Sequence, residues 1–139
     1  MATTRNARAH WEGTLLEGQG TVELTSSGIG TYPITWASRA ESADGRTSPE
    51  ELIAAAHASC FSMALSNGLA KSGNPAISLN TSVEVDFQPG VGITEIRITL
   101  SGEAENLDAD GFKAAAEDAK ANCPVSKALA AVPITLTVV

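Results

Sequence analysis

Residues 47–66 read Thr47-Ser-Pro-Glu-Glu-Leu-Ile-Ala-Ala-Ala-His-Ala-Ser-Cys60-Phe-Ser-Met-Ala-Leu-Ser66, and this stretch decides how the rest of the chain is arranged. It has a helix's opening: Thr47 or Ser48 to cap, Pro49 for the first turn, Glu50 and Glu51 at the positive end of the dipole. Alanine, leucine and methionine then carry it for several turns. No charged residue follows Glu51 until Lys71. A helix without a polar face is expected to bury most of its circumference, and side chains this small let a second helix or other backbone approach closely. In its middle sits Cys60, with His57 about one turn before it and Met63 about one turn after it on the same face. A thiol so placed is either inert packing or chemistry.

A chain of 139 residues fits one domain, residues 1–139, with room for a real core. The hydrophobic fraction, 43%, is near the globular norm, so no unusual class is implied. No run reaches the roughly 18 apolar residues of a membrane span. The opening Met-Ala-Thr-Thr-Arg-Asn is polar and lacks the apolar segment of a signal peptide. Both features point to the cytoplasm and away from a membrane. Sixteen acidic against nine basic residues give a net charge of −7, which nucleic acid phosphates would repel. The two cysteines, Cys60 and Cys123, are unlike a permanent staple in a reducing compartment. They read as two buried thiols, a metal site or a transient redox pair.

Taken in order, residues 7–12 and 20–24 flank a glycine-rich turn and predict an opening hairpin. Residues 30–39 predict a third strand ending at Arg39, since Thr31, Tyr32, Ile34, Thr35 and Trp36 are strand formers. A polar loop with Asp44-Gly45 feeds the central helix, expected over 49 to about 71 and ended by Ser72-Gly73-Asn74-Pro75. Alternation of Ile77, Leu79, Thr81, Val83, Val85 and Phe87 predicts a long strand with one apolar face. Gln88-Pro-Gly-Val-Gly92 turns it back into a strand over 93–102 with Ile96, Ile98 and Leu100 inward. Asp108 opens a helix over 109–121, Pro124 breaks it at Cys123, a short helix covers 124–131, and residues 134–139 close as a strand. Strands and helices are partly segregated, so the class is α+β with antiparallel pairing dominant.

The thiolate, not the thiol, is the nucleophile, so a reactive cysteine needs a lowered pKa. Cys60 lies three turns into its helix, beyond the reach of the dipole, so a cation must come from elsewhere; His57 and Arg39 are the candidates. Cys123 stands at a helix start before Pro124-Val-Ser126, where backbone N–H groups favour a thiolate. A zinc site would have to combine Cys60, His57, Cys123 and His10, but the last two are isolated singles where structural zinc normally takes close pairs.

The run from Thr47 to Ser66, followed about sixty residues later by Asn122-Cys-Pro-Val-Ser-Lys127, closely resembles the OsmC/Ohr family, the osmotically inducible and organic hydroperoxide resistance proteins. Ala9-His10-Trp11-Glu12-Gly13 and the segment ending in Arg39 resemble its OsmC branch, and the resemblance spans essentially the whole chain. It implies antiparallel sheets around a long central helix in an intertwined homodimer, with two active sites at the subunit interface. It implies a thiol peroxidase acting on organic hydroperoxides without metal or haem. By the same resemblance Cys60 is the peroxidatic cysteine, Cys123 the resolving one, Arg39 the cation holding thiolate and peroxide, and Glu50 the residue orienting the arginine. A dithiol, such as that of a lipoyl-bearing protein, would be the reductant. Phe61, Met63 and His57 are expected on the substrate side. A redox-sensing or binding module on the same fold is the alternative, separated from the enzyme by turnover with excess reductant.

One conflict follows from helix geometry. Glu50 and Cys60 are ten positions apart on one helix, roughly 15 Å along its axis, too far for a glutamate side chain to bridge. Antiparallel packing of two such helices would resolve it, with Arg39 and Glu50 of the partner subunit serving each Cys60.

Overall fold

Alternating polar and β-forming residues near the N-terminus build three short strands, Arg8–Glu12 (β1), Gln19–Glu23 (β2) and Thr31–Ile34 (β3). They form an antiparallel sheet in the order β1-β2-β3 in the computed structural model, which describes residues 1–139. The third element ends sooner than propensity predicts, because Trp36–Ala40 is a short helix, α1. Thr35 caps it: its side chain accepts from the Ser38 N–H, while the Ser38 hydroxyl accepts from the Thr35 N–H at 3.0 Å. That capping box overrides the strand preference of Thr35 and Trp36, so Arg39 belongs to a helix and not to a strand end. Ser38 also donates to the Thr47 carbonyl at 3.2 Å, tying α1 to the loop that follows. These elements lie in one compact unit, Met1–Glu50; the second unit is Glu51–Val139. In the first, β1 is exposed along its whole length, and Leu15, Leu16 and Ile29 stand in solvent.

The quoted stretch is one unbroken helix, Pro49–Lys71 (α2). It ends in a Schellman motif: Asn74 N–H donates to Leu69 O at 2.9 Å and Gly73 N–H to Ala70 O at 3.1 Å. Gly73 takes the positive φ of 83° this closure needs. The helix has the length and apolarity of a membrane span, yet its large residues form a buried stripe. His57, Phe61, Leu65 and Leu69, four apart, are the positions fully enclosed. The expectation that most of the circumference is buried does not hold within one chain. Ala55, Ala56, Ser59, Met63 and Ser66 are exposed, because small residues on the remaining faces meet no partner element there.

The stripe packs on a second sheet of Ala76–Gln88 (β4), Gly92–Ala104 (β5) and Ile134–Val138 (β6), in the order β4-β5-β6. The β4–β5 hairpin is antiparallel and turns at Pro89-Gly90, with Gly90 at φ 81° as a type II turn requires. A register shift between Ala76 and Ser78 leaves Ile77 as the extra residue, which puts it in solvent despite the period-2 pattern. Ile98 and Leu100 of β5 meet Phe61, Leu65 and Leu69 in the core. On the outer side Arg97 is forked on Asp86 at 2.7 Å and also reaches Glu84 and Glu95; its hydrogen bond holds the Asp86 carboxyl below the usual range.

Asp108 caps Ala109–Asn122 (α3) by accepting from Gly111 N–H at 2.8 Å. Phe112, Ala116 and Ala119 close the core from that side. Cys123 then takes φ −56° and ψ 126°, the extended geometry that a following proline imposes. Pro124–Ala128 (α4) restarts the helix, three residues shorter than the sequence predicts, since residues 129–131 form turns. The two helices carry the chain back so that β6 pairs parallel to β5, a departure from antiparallel pairing that a single parallel bridge between Ile34 and Thr47 shares.

Candidate active site

The α3–α4 break points Cys123 at the middle of α2. The Cys60 and Cys123 sulfurs lie 2.9 Å apart, both as free thiols. Cys60 is half-buried and Cys123 is wholly enclosed. Beside Cys60 runs a groove of about 640 Å³ between α2 and the end of α3, bordered by Met63, Ala64, Gly68, Asn122 and Pro124, with Lys71 and Asp118 on its rim. Cys60 is the sulfur that opens onto it.

Burial is the largest influence on the Cys60 thiol and pushes it up; proton sharing with Cys123 adds to this, against a weaker opposing N–H of Val125. Burial also raises Cys123, but the hydrogen bond from Cys60, the N–H groups of Ser126 and Val125 and the Ser126 hydroxyl together outweigh it and lower the thiol. Geometry alone lets either thiol donate across the contact. The additional groups from Ser126 make Cys123 the more acidic of the two thiols in the chain by itself.

His57 is fully enclosed, and its Nε2 is hydrogen bonded to Ser126 Oγ at 2.7 Å. Its Nδ1 is buried with no partner. Burial lowers the His57 pKa, so the ring is neutral in the fold. The unfolded chain takes up a proton near pH 6.5, which the folded ring refuses until lower pH. Stability from this group is therefore full above about pH 6.5 and falls on acidification, by at most about 1.4 kcal/mol per pH unit. Thermal midpoints of wild type and His57→Gln between pH 8 and pH 5 check this: only the wild type should lose the His57-dependent share. Parallel curves would mean the ring is charged in the fold.

Arg39 and Glu50 form a bidentate pair in the N-terminal unit: Arg39 Nε donates to Glu50 Oε1 and Oε2 at 3.1 and 3.2 Å, and Nη2 to Oε1 at 2.9 Å. Glu50 is buried, so the guanidinium is held rather than loosely solvated. Of the residues expected on the substrate side, Met63 borders the groove, whereas Phe61 and His57 lie enclosed in the core and line no groove. His10 pairs with Glu12 at 3.1 Å, and no cluster of three or more His, Cys, Asp or Glu side chains is placed to hold a metal. Ser126 is the site residue that sequence reasoning passed over. Its signal is the spacing Cys-Pro-x-Ser, which sets a hydroxyl three residues after an N-cap cysteine.

The profile of the OsmC-like protein family matches residues 42–137. The chain belongs to the OsmC family. Peroxiredoxin OsmC of Escherichia coli (strain K12) is 40% identical over 134 residues, covering 94% of this chain and 93% of that protein. Among solved structures, an organic hydroperoxide resistance protein OsmC from Legionella pneumophila superposes with a TM-score of 0.73 at 26% identity, covering 99% of this chain and 98% of the other. OhrB of Bacillus subtilis has the same fold, with a TM-score of 0.69 at 21% identity over 96% and 98% of the two chains. The α+β arrangement of two small sheets and a long helix is thus the OsmC arrangement.

Proposed function

We propose that this OsmC family member is a cysteine-based peroxidase that reduces organic hydroperoxides to alcohols, and hydrogen peroxide less well. The observation that carries the reading is the pair of free thiols 2.9 Å apart, one of them opening onto an apolar groove. The names of the relatives, a peroxiredoxin and hydroperoxide resistance proteins, support it. The Cys60 thiolate attacks the peroxide oxygen, the O–O bond breaks, an alcohol leaves and Cys60 becomes a sulfenic acid. Cys123 condenses with it to a disulfide, releasing water. The sulfurs start close to the bonding distance of about 2.05 Å. A dithiol reductant, such as a lipoylated protein, restores both thiols by exchange. Arg39, oriented by Glu50, acts on Cys60 across a homodimer.

The test is stoichiometric. Wild-type protein given one equivalent of an alkyl peroxide should show an intramolecular Cys60–Cys123 bridge by mass spectrometry, and should consume peroxide catalytically with excess dithiol. Cys123→Ser should accumulate Cys60 sulfenic or sulfinic acid instead. Oxidised wild type without the bridge rejects the resolving role, and oxidation without turnover favours a redox sensor.

Substrate preference follows from the groove. Met63, Ala64 and Gly68 offer an alkyl chain an apolar surface to bury, at about 0.8 kcal/mol per CH₂. Catalytic efficiency should therefore rise from hydrogen peroxide to bulky hydroperoxides, by about ten-fold or more for two buried methylenes. Steady-state kinetics with a peroxide series checks this; equal efficiencies would place the substrate elsewhere.

A further inference from the structure

The two sulfurs of the proposed bridge differ in how they can be reached from outside. Cys123 is fully enclosed and belongs to the same core cluster as Phe61, Leu65, Phe112 and Ala119. Its neighbours Asn122 and Pro124 border the groove beside α2, whereas Cys123 itself does not. Cys60 is half-buried and lies on the groove wall. Closing the gap from 2.9 Å to a bonding distance of about 2.05 Å is a small shift, so the same contrast holds once the bridge has formed. Thiol–disulfide exchange begins when an incoming thiolate attacks one sulfur and expels the other, and access decides which. Attack on Cys123 would have to come through core packing. Attack on Cys60 can come from the groove.

We propose that the reductant enters on the Cys60 sulfur, and that Cys123, by returning to Cys60 whenever a single thiol is attached there, restricts the reductant to dithiols. This assignment rests on the Cys60–Cys123 bridge of the peroxidase reading and adds where that bridge is opened and by what. The first thiolate of the dithiol bonds to Cys60 Sγ, the S–S bond breaks, and Cys123 leaves as a thiolate. Cys60 now carries a mixed disulfide, with Cys123 beside it. A monothiol bound in this way is expelled again, because the neighbouring Cys123 acts at an effective concentration far above that of a second free thiol. A dithiol escapes by a step of the same kind. Its second thiolate attacks the sulfur of its own chain that is joined to Cys60, closing a cyclic disulfide and releasing the Cys60 thiolate. Two electrons pass from the dithiol to the bridge, and its two protons end on Cys60 and Cys123. The nearness that makes the bridge form quickly is thus what makes a single thiol a poor reductant.

Two measurements test this. In the first, oxidised wild-type protein is mixed with a large excess of 2-mercaptoethanol and quenched in acid over a time course. Trypsin separates the cysteines, since residues 47–71 hold Cys60 and residues 121–127 hold Cys123. The mercaptoethanol adduct should appear on the Cys60 peptide; an adduct on the Cys123 peptide, or on both equally, overturns the entry point. In the second, initial rates of alkyl peroxide consumption are compared with 2-mercaptoethanol and with dithiothreitol. Wild type should prefer dithiothreitol by about ten-fold or more at equal thiol concentration. Cys123→Ser, which has no thiol to return, should turn over with 2-mercaptoethanol about ten-fold or more faster than wild type does, with no such gain on dithiothreitol. Cys123→Ala serves the same purpose should serine at this enclosed position disturb the fold. Folded variants no faster than wild type with the monothiol overturn the restriction. Peroxide-treated wild type without any Cys60–Cys123 bridge rejects the peroxidase reading itself, whereas a bridge opened at Cys123 rejects only this inference.

Discussion

Replacing Cys60 with serine is expected to reduce peroxide consumption to background, a fall of at least about 10³-fold, the scale seen when a covalent nucleophile is removed. The change exchanges one sulfur for one oxygen on a half-buried helical position, so stability should shift by no more than about 1 kcal/mol. A serine hydroxyl ionises far above the working pH and cannot form the disulfide. The experiment discriminates because the charge preference within the chain runs the other way, with Cys123 the more acidic of the two thiols. If acidity alone chose the nucleophile, Cys60→Ser protein would still be oxidised once by one equivalent of peroxide. Access argues against that: Cys123 is fully enclosed, whereas Cys60 borders the groove. The assay is coupled peroxide consumption with excess dithiol, run beside a single-equivalent oxidation. Serine-variant activity above a trace would move the nucleophile away from Cys60.

What was legible in the sequence was mostly what is decided locally. The Ser72-Gly73-Asn74-Pro75 stop is a Schellman closure, and Pro124 sets Cys123 in extended geometry, each written within a few residues. The facing of Ile96, Ile98 and Leu100 survived because a period-2 pattern cannot slip without exposing all three. Trp36–Ala40 was hidden because Thr35 and Trp36 favour strands in isolation, and the Thr35–Ser38 box that outweighs them uses serine where glutamate is usual. The burial of α2 was overestimated because lack of charge was read as enclosure, while only the four bulky residues of the stripe are fully enclosed within the chain. In the site, Phe61 follows Cys60 directly, but successive helical residues diverge by about 100°, so it turns into the core while Cys60 turns outward. The nearness of Cys123 to Cys60 had no local signal, since it depends on how α3 packs on the sheet; only family resemblance anticipated it.

A mixed dimer with Cys60→Ser in one subunit and Arg39→Ala in the other should recover about half of wild-type activity, while each homodimer stays near zero. The reasoning begins with the thiol. Within the chain, burial and Cys123 push Cys60 up, the wrong direction for a nucleophile, so a cation is needed. Arg39 is held ready by a bidentate grip on Glu50. Glu50, however, lies on the first turn of α2 and Cys60 ten residues along the same unbroken helix, roughly 15 Å in rise. A second copy of α2 running antiparallel would bring its first turn toward Cys60, and the exposed Ala55, Ala56 and Ser59 are small enough for such an approach. β1 and the side chains of Leu15, Leu16 and Ile29 are likewise exposed in the single chain, surface that a second copy would cover. If Arg39 acts across the dimer, both lesions of the mixed species fall in one site. The other site combines an intact Cys60 with the arginine of the Cys60→Ser subunit and is whole. If Arg39 acts within its own chain, each site carries one lesion and none works. Co-expression with two affinity tags, sequential purification and a rate per dimer distinguish these outcomes. Activity near zero in a verified mixed dimer would place the arginine and its cysteine in the same chain.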